Sequence, residues 1–191
     1  MNKIILASAS PRRKELLEQI GLPFTVAVSS VEEVITKTVP QEVVMELSAQ
    51  KAMDVKKQQK EDCIVIGADT IVVYDDGNGG NILGKPKSEE EAFEMLNRLQ
   101  GNVHQVYTGV TLCFGEEVMS FYECTKVYVY EMTKEQIQEY IKTGEPMDKA
   151  GAYGIQGRFA AFVKGIEGDY NNVVGLPVGR VYQELVRLNM I

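Results

Sequence analysis

Cys63-Ile64-Val65-Ile66-Gly67-Ala68-Asp69-Thr70-Ile71-Val72-Val73-Tyr74 is the most apolar run in the chain, and it reads as a central strand flanked by loops. The Gly- and Asn-rich stretch 75–81 that follows reads as a hairpin turn. Upstream, residues 40–59 have the pattern of a long amphipathic helix ending in a Lys/Gln-rich turn. Residues 24–28 and 3–8 read as strands. Residues 11–20 read as a helix, with Ser10 as N-cap, Pro11 at the first helical position, and Gly21 and Pro23 at its end. Downstream, Ser88-Glu89-Glu90-Glu91 is a capping-box signature for a helix to about Leu99. Residues 103–114 and 117–130 alternate as two long strands. Thr133-Lys134-Glu135-Gln136 opens another helix, which ends at Gly144. A Gly-rich loop to about 158, strands near 160–166 and 170–174, and a final helix from about Pro177 complete the order. Units of βαβ type mixed with a meander predict an α/β fold with a mixed, strongly twisted sheet.

The chain has 191 residues, enough for one ordinary domain or two tightly joined lobes. Its 45% hydrophobic and 25% charged residues are normal for a soluble globular protein. With 27 acidic and 20 basic side chains the formal charge is −7, which disfavours nucleic acid and anionic membrane as general partners. An anionic ligand therefore needs a local basic cluster. No apolar run approaches the ~20 residues of a membrane span. The apolar stretch after Lys3 is too short for a secretory signal and reads as the first strand. Cys63, Cys113 and Cys124 are widely spaced, odd in number and free of any CxxC pattern, so reduced thiols in a cytoplasmic protein are expected. His104 is the only histidine and sits in a strand-like stretch. Chemistry must then rest on Asp, Glu, Lys, Arg and water.

Three segments stand out. Ser8-Ala9-Ser10-Pro11-Arg12-Arg13-Lys14 takes a strand through a tight turn into a helix. The first turn of a helix carries unpaired N–H groups and partial positive charge, which makes it an anion site. Three cations placed there are costly unless a polyanion neutralises them; the alternative is a solvated basic helix start. The segment lacks the Walker A pattern. In Ile66-Gly67-Ala68-Asp69-Thr70, an apolar strand delivers a carboxylate. Burying it needs a metal, a hydrogen-bond network or a reaction, unless Asp69 ends the strand or pairs with a lysine. Gly67 permits close approach of backbone or ligand. In Asp148-Lys149-Ala150-Gly151-Ala152-Tyr153-Gly154-Ile155-Gln156-Gly157-Arg158, three glycines let backbone pass close to a ligand, and Gln156 can read a base edge; a plain flexible loop is the alternative. Gly84-Lys85-Pro86 sets a lysine beside a rigid turn. Glu32-Glu33 could bind metal or simply be solvated. Lys51, in a polar stretch of the long helix, gives no signal alone.

Together these segments resemble the Maf family, named for septum formation, whose members are nucleoside triphosphate pyrophosphatases. The matching motifs are Ser8–Arg13, Ile66–Thr70, Gly84–Pro86, Asp148–Gly157 and Val174-Gly175-Leu176-Pro177, in that order along essentially the whole chain. The resemblance implies a single Maf-like domain over residues 1–191, with an elongated two-lobed fold, a central cleft and a distant likeness to inosine triphosphate pyrophosphatases. It implies hydrolysis of a nucleoside triphosphate to the monophosphate and pyrophosphate, aided by Mg2+ or Mn2+. Asp69 matches the proton acceptor. Arg12, Thr70 and Gln156 match the set that marks the dTTP/UTP type against a branch acting on 7-methyl-GTP. Ser8, Arg13, Glu33, Lys51 and Lys85 match other active-site positions. With Arg12, four of these, Ser8, Arg13, Lys51 and Lys85, are the expected phosphate grips; Glu33 and Asp69 are the expected metal ligands. A homodimer is a further expectation. The alternatives are methylated or deaminated purine triphosphates as substrates, and a nucleotide-binding regulator of cell division that acts by protein contact.

Overall fold

The apolar run does form a strand, and the other elements follow the predicted order, except that Gly80–Leu83 is a further strand that was not predicted, the strand expected near 160–166 begins only at Val163 after a 3-10 turn, and residues 170–174 are not a strand. The computed structural model describes residues 3–75, 77 and 80–191. Along the chain these are β1 (Ile4–Leu6), α1 (Pro11–Gln19), β2 (Thr25–Val26), α2 (Pro40–Lys57), β3 (Ile64–Asp75), β4 (Gly80–Leu83), α3 (Glu89–Leu99), β5 (Val103–Phe114), β6 (Glu117–Val129), α4 (Lys134–Ile141), β7 (Val163–Glu167), α5 (Tyr170–Val174) and α6 (Val178–Arg187), with three 3-10 turns between α4 and β7. The strand order is β2-β1-β3-β5-β6-β7, with β4 also on β3. β1 runs parallel to β2 and to β3, whereas β4 is antiparallel to β3 and β7 to β6. The expected mixed α/β sheet is borne out. The hairpin predicted at 75–81 joins β3 to β4, with Asp75 opposite Gly80; residues 76, 78 and 79 lie outside the described residues. None of the described helices is long and apolar enough to cross a membrane.

Residues 170–174, predicted as a strand, are found as α5. The Asp169 carboxylate accepts the Asn171 N–H, the bond an N-cap makes. The Asn172 amide, fully buried, donates to Val106 O and Thr125 Oγ1. Those bonds require a helical turn and outweigh the apolar pattern of Val173-Val174. Ser10 also departs from expectation. It occupies the N-cap position of α1, yet its side chain makes no capping bond, and its N–H goes to Ser8 Oγ instead.

The chain forms two compact units. One comprises Met1–Asp69, Thr108–Glu123 and Gly175–Ile191; the other comprises Thr70–Tyr107 and Cys124–Val174. In the first, α2 packs on β3 and β5, with Ala52 and Val55 clustered with Val65 and Cys113, and its Val43, Val44 and Leu47 are buried too. Two glycines bring it unusually close. A Cβ on Gly67 would run into Ser48 O and Ala52, and one on Gly109 into Val44 O and Met45 N. Gly67 therefore serves the close approach of a helix backbone. The Ser48 hydroxyl, buried at that seam, bonds Met45 O at 2.9 Å and Thr111 Oγ1 at 2.8 Å, and Thr111 passes the chain on to Ser120. The buried polar groups are thus paired, as close packing demands.

The second unit is built on α3, α4 and an aromatic cluster. Ser88 caps α3 by accepting Glu91 N–H, while the Glu91 carboxylate takes Lys87 N–H in place of the Ser88 N–H a full capping box would use. Thr133 and Gln136 make the complete box on α4. Tyr140, Tyr153 and Phe159 stack at centroid distances of 5.3 and 4.5 Å, and His104 meets Tyr153 edge-on with Nε2 2.7 Å from its hydroxyl. His104 is therefore a core residue.

Substituting Gly109→Ala should lower unfolding stability by about 2 kcal/mol or more, read in urea melts, because backbone of α2 blocks the new methyl. A second expectation concerns pH. Burial pushes His104 down from 6.5 to about 4, so the unfolded chain takes up its proton first as the pH falls. Stability is then lost between about pH 6.5 and 4, by about 3 kcal/mol. A His104→Leu variant should lack that part of the acid slope.

Candidate active site

The seating of α2 on Gly67 places Lys51, one helical position before Ala52, beside the end of the buried part of β3. Lys51 Nζ lies 2.5 Å from Asp69 Oδ1 and 3.0 Å from Glu33 Oε1. Asp69 and Lys51 keep only 14% and 18% of their side-chain surface exposed, and Glu33 keeps 47%. Two carboxylates thus face one largely desolvated ammonium. The pairing with lysine that the strand pattern left open for Asp69 is present. It removes the cost of burying an unpartnered carboxylate.

Arg13 closes the other side. Its Nε donates to Gly175 O at 2.7 Å, and its Nη1 donates to Ala68 O at 2.9 Å and to Ser8 Oγ at 3.2 Å. One guanidinium thereby ties α1, the residue before Asp69 and the glycine after α5. Desolvation lowers its pKa from the ordinary arginine value; the charges of Asp69 and, less, Glu33 oppose this, and Arg12 adds to it. Arg12, Glu33 and Asp69 thus all lie within electrostatic reach of Arg13. Among the expected phosphate grips, Arg13 makes these three internal hydrogen bonds through Nε and Nη1 and so pins the fold around Asp69. Ser8 Oγ accepts from both Ser10 N–H and Arg13. The first turn of α1 carries no acidic residue, and Arg12 is half-buried there. Glu32 is exposed; its neighbour alone reaches Lys51.

The second unit holds the remaining candidates. Thr70 is half-buried in β3, directly after Asp69. Lys85 is exposed after β4, where Gly84 O accepts Gly151 N–H at 3.0 Å and so ties that turn to the Gly-rich segment. Gln156 is exposed at the tip of that segment. The three glycines around it approach the chain's own side chains. Gly151 lies against Val72, Gly154 against Lys149 and Gly157 against the Glu145 carboxylate. Glu145 also accepts Arg158 N–H. The segment is thus a braced turn, and the expectation of a backbone opened toward a ligand is replaced by one of internal packing.

Reasoning from sequence passed over three residues on α2. Glu46, Gln50 and Asp54, half-buried and one turn apart, hold the main chain of residues 29–37, which carries Glu33. A polar stripe at i, i+4 and i+8, beside the apolar face of a helix, was the available signal.

The comparisons agree with one another. The model of the family described as Maf-like protein matches residues 3–188. A protein named dTTP/UTP pyrophosphatase from Agathobacter rectalis is 55% identical over 207 residues, covering 100% of this chain and 99% of its own. Another of that name from Lachnoclostridium phytofermentans is 53% identical over 195 residues, covering 100% and 97%. A solved HAM1 protein from Coxiella burnetii matches 98% of this chain and 100% of its own with a TM-score of 0.55 at 14% identity, a likeness of fold.

The Arg13 pin yields a stability test. Arg13→Lys keeps the charge but cannot reach three acceptors with a planar fork. It should cost about 2 kcal/mol in thermal or urea unfolding.

Proposed function

The chain belongs to the Maf-like protein family, and on that premise we propose that it hydrolyses dTTP and UTP to the nucleoside monophosphate and pyrophosphate, with residues 1–191 working as one catalytic domain. The observation that carries this reading is the Glu33–Lys51–Asp69 group, two carboxylates on one ammonium, with Arg13 in electrostatic reach of both carboxylates and of Arg12. Such a mixture of signs suits a polyphosphate whose charge moves during the reaction. The relatives named dTTP/UTP pyrophosphatase support the substrate class.

In this mechanism Asp69 takes a proton from water as its oxygen bonds to the α-phosphorus and the bond to the bridging oxygen of the pyrophosphate breaks. The proton passes from Asp69 to solvent. Lys51 holds Asp69 Oδ1, so Oδ2 is assigned to the water. Arg12, Lys51 and Lys85 grip phosphate oxygens, and Arg13 and Ser8 hold the turn that presents them. Thr70 and Gln156 select the base; the Gln156 amide offers a donor and an acceptor to a pyrimidine with a 4-oxo group.

Two carboxylate oxygens close to one ammonium fit a hard divalent cation, which uses one or two protein carboxylates and takes the rest from phosphates and water. Among the described residues there is no group of three or more His, Cys, Asp or Glu that could hold a metal ion. Mg2+ or Mn2+ would neutralise phosphate charge there. Glu33 and Asp69 would hold it, with Glu33 the main ligand, because a carboxylate bound directly to a metal is a poor base. Three free thiols agree with a reducing, cytoplasmic setting.

The deciding experiment offers dTTP, UTP, CTP and GTP with Mg2+ or Mn2+, separating pyrophosphate from orthophosphate. Pyrophosphate from dTTP and UTP is expected, and Asp69→Asn should lower kcat by about 100-fold or more with the fold intact. Release of orthophosphate, or a fully active Asp69→Asn, would refute the mechanism.

A further inference from the structure

Residues 27–39 form no helix or strand between β2 and α2, and every residue from 30 to 39 is exposed. Their apolar side chains do not anchor them: Val34 and Ile35 are 56% and 58% exposed. The anchors are polar and come from one face of α2. Asp54 Oδ2 accepts Ser29 Oγ–H at 2.7 Å and Ser30 N–H at 3.0 Å. Gln50 makes a two-way pair with Val34, its Oε1 accepting the N–H at 3.0 Å and its Nε2 donating to the carbonyl at 2.6 Å. Glu46 accepts Thr36 N–H at 2.9 Å, Thr36 Oγ1–H at 2.5 Å and Lys37 N–H at 3.4 Å. Hydrogen bonds from Thr36 and Ser29 hold the Glu46 and Asp54 carboxyls below their usual range, the sign expected of acceptors engaged by several donors.

Gln50 precedes Lys51, and Val34 follows Glu33. The two-way amide pair therefore sets the register in which Glu33 meets Lys51 at 3.0 Å. We propose that Glu46, Gln50 and Asp54 are positioning residues: a three-rung ladder on α2 straps residues 29–37 down and keeps Glu33 at the Lys51–Asp69 pair before substrate arrives. The proposal rests on the reading that Glu33 belongs to the nucleotide site. With so few apolar anchors, the strap's closed fraction is set by these rungs. When the competent state is only partly populated, the apparent affinity falls by that fraction, whereas the bound complex retains its rate. Loss of a rung should then raise KM and spare kcat.

The test compares the full chain with Gln50→Ala and Glu46→Ala, both of which favour helix. Hydrogen exchange is followed at residues 30–37 and at β1 and β3, alongside pyrophosphate release from dTTP with Mg2+. In Gln50→Ala, residues 30–37 should exchange about tenfold faster with β1 and β3 unchanged, and KM should rise about tenfold with kcat within about threefold. Glu46→Gln, which keeps an acceptor, should restore most of what Glu46→Ala loses. Unchanged exchange at 30–37, a loosened strap with unchanged KM, or a kcat loss equal to the rise in KM would each overturn the proposal. If the unsubstituted chain releases no pyrophosphate, the functional reading fails; the exchange measurement needs no turnover and still accepts or rejects the strap.

Discussion

The close seating of α2 on β3 and β5 is the constraint on which the candidate site depends. At Gly67 and Gly109 the absence of a side chain lets the helix backbone approach the strands to a distance a single methyl would forbid. Close packing turns that approach into a fixed register, because a dense interior leaves no room for a helix to slide. The Ser48–Thr111–Ser120 hydroxyl chain marks the seam and satisfies the polar groups trapped there. From that register follow both outward faces of α2. One carries Lys51 to Asp69; the other carries Glu46, Gln50 and Asp54 to the segment that bears Glu33.

The charge arrangement has a logic of its own. A carboxylate at the end of a buried strand run is expensive in isolation, and Lys51 at 2.5 Å offsets part of that cost. Glu33 overcompensates that ammonium, and the arginines at the start of α1 swing the balance back. Arg13 shows why a cationic helix start is tolerated here. Its guanidinium is spent on two carbonyls and a hydroxyl from three parts of the chain, an arrangement that only a rigid planar fork with several donors can make. The basic cluster read from Ser8–Lys14 thus divides into a pin, Arg13, and a cation beside it, Arg12, whose role belongs to the proposed chemistry.

Most of the fold was legible because its local signals agree with its tertiary ones. Ser88 and Thr133 cap helices as their spacing predicts, and the alternation of 103–114 and 117–130 gives long strands. The failures have a common cause. Residues 170–174 look like a strand until the distant partners of Asn172, Val106 O and Thr125 Oγ1, are known. Ser10 looks like a cap until Ser8 is seen to take its N–H. The glycines around Gln156 look like room for a ligand until Val72, Lys149 and Glu145 are found against them.

Composition, residue order and motif spacing by themselves determined an α/β chain, an aspartate delivered by a buried strand and a cationic helix start, since each is a property of neighbouring residues. The tertiary structure alone decided that Lys51 is the partner of Asp69, that Arg13 bonds Ala68 O and Gly175 O, and that Glu46, Gln50 and Asp54 hold the segment of Glu33. Those pairs lie 18, 55 and 162, and 9 to 25 residues apart along the chain. No local pattern encodes such separations; for the residues of α2, the packing of that helix onto two glycines does.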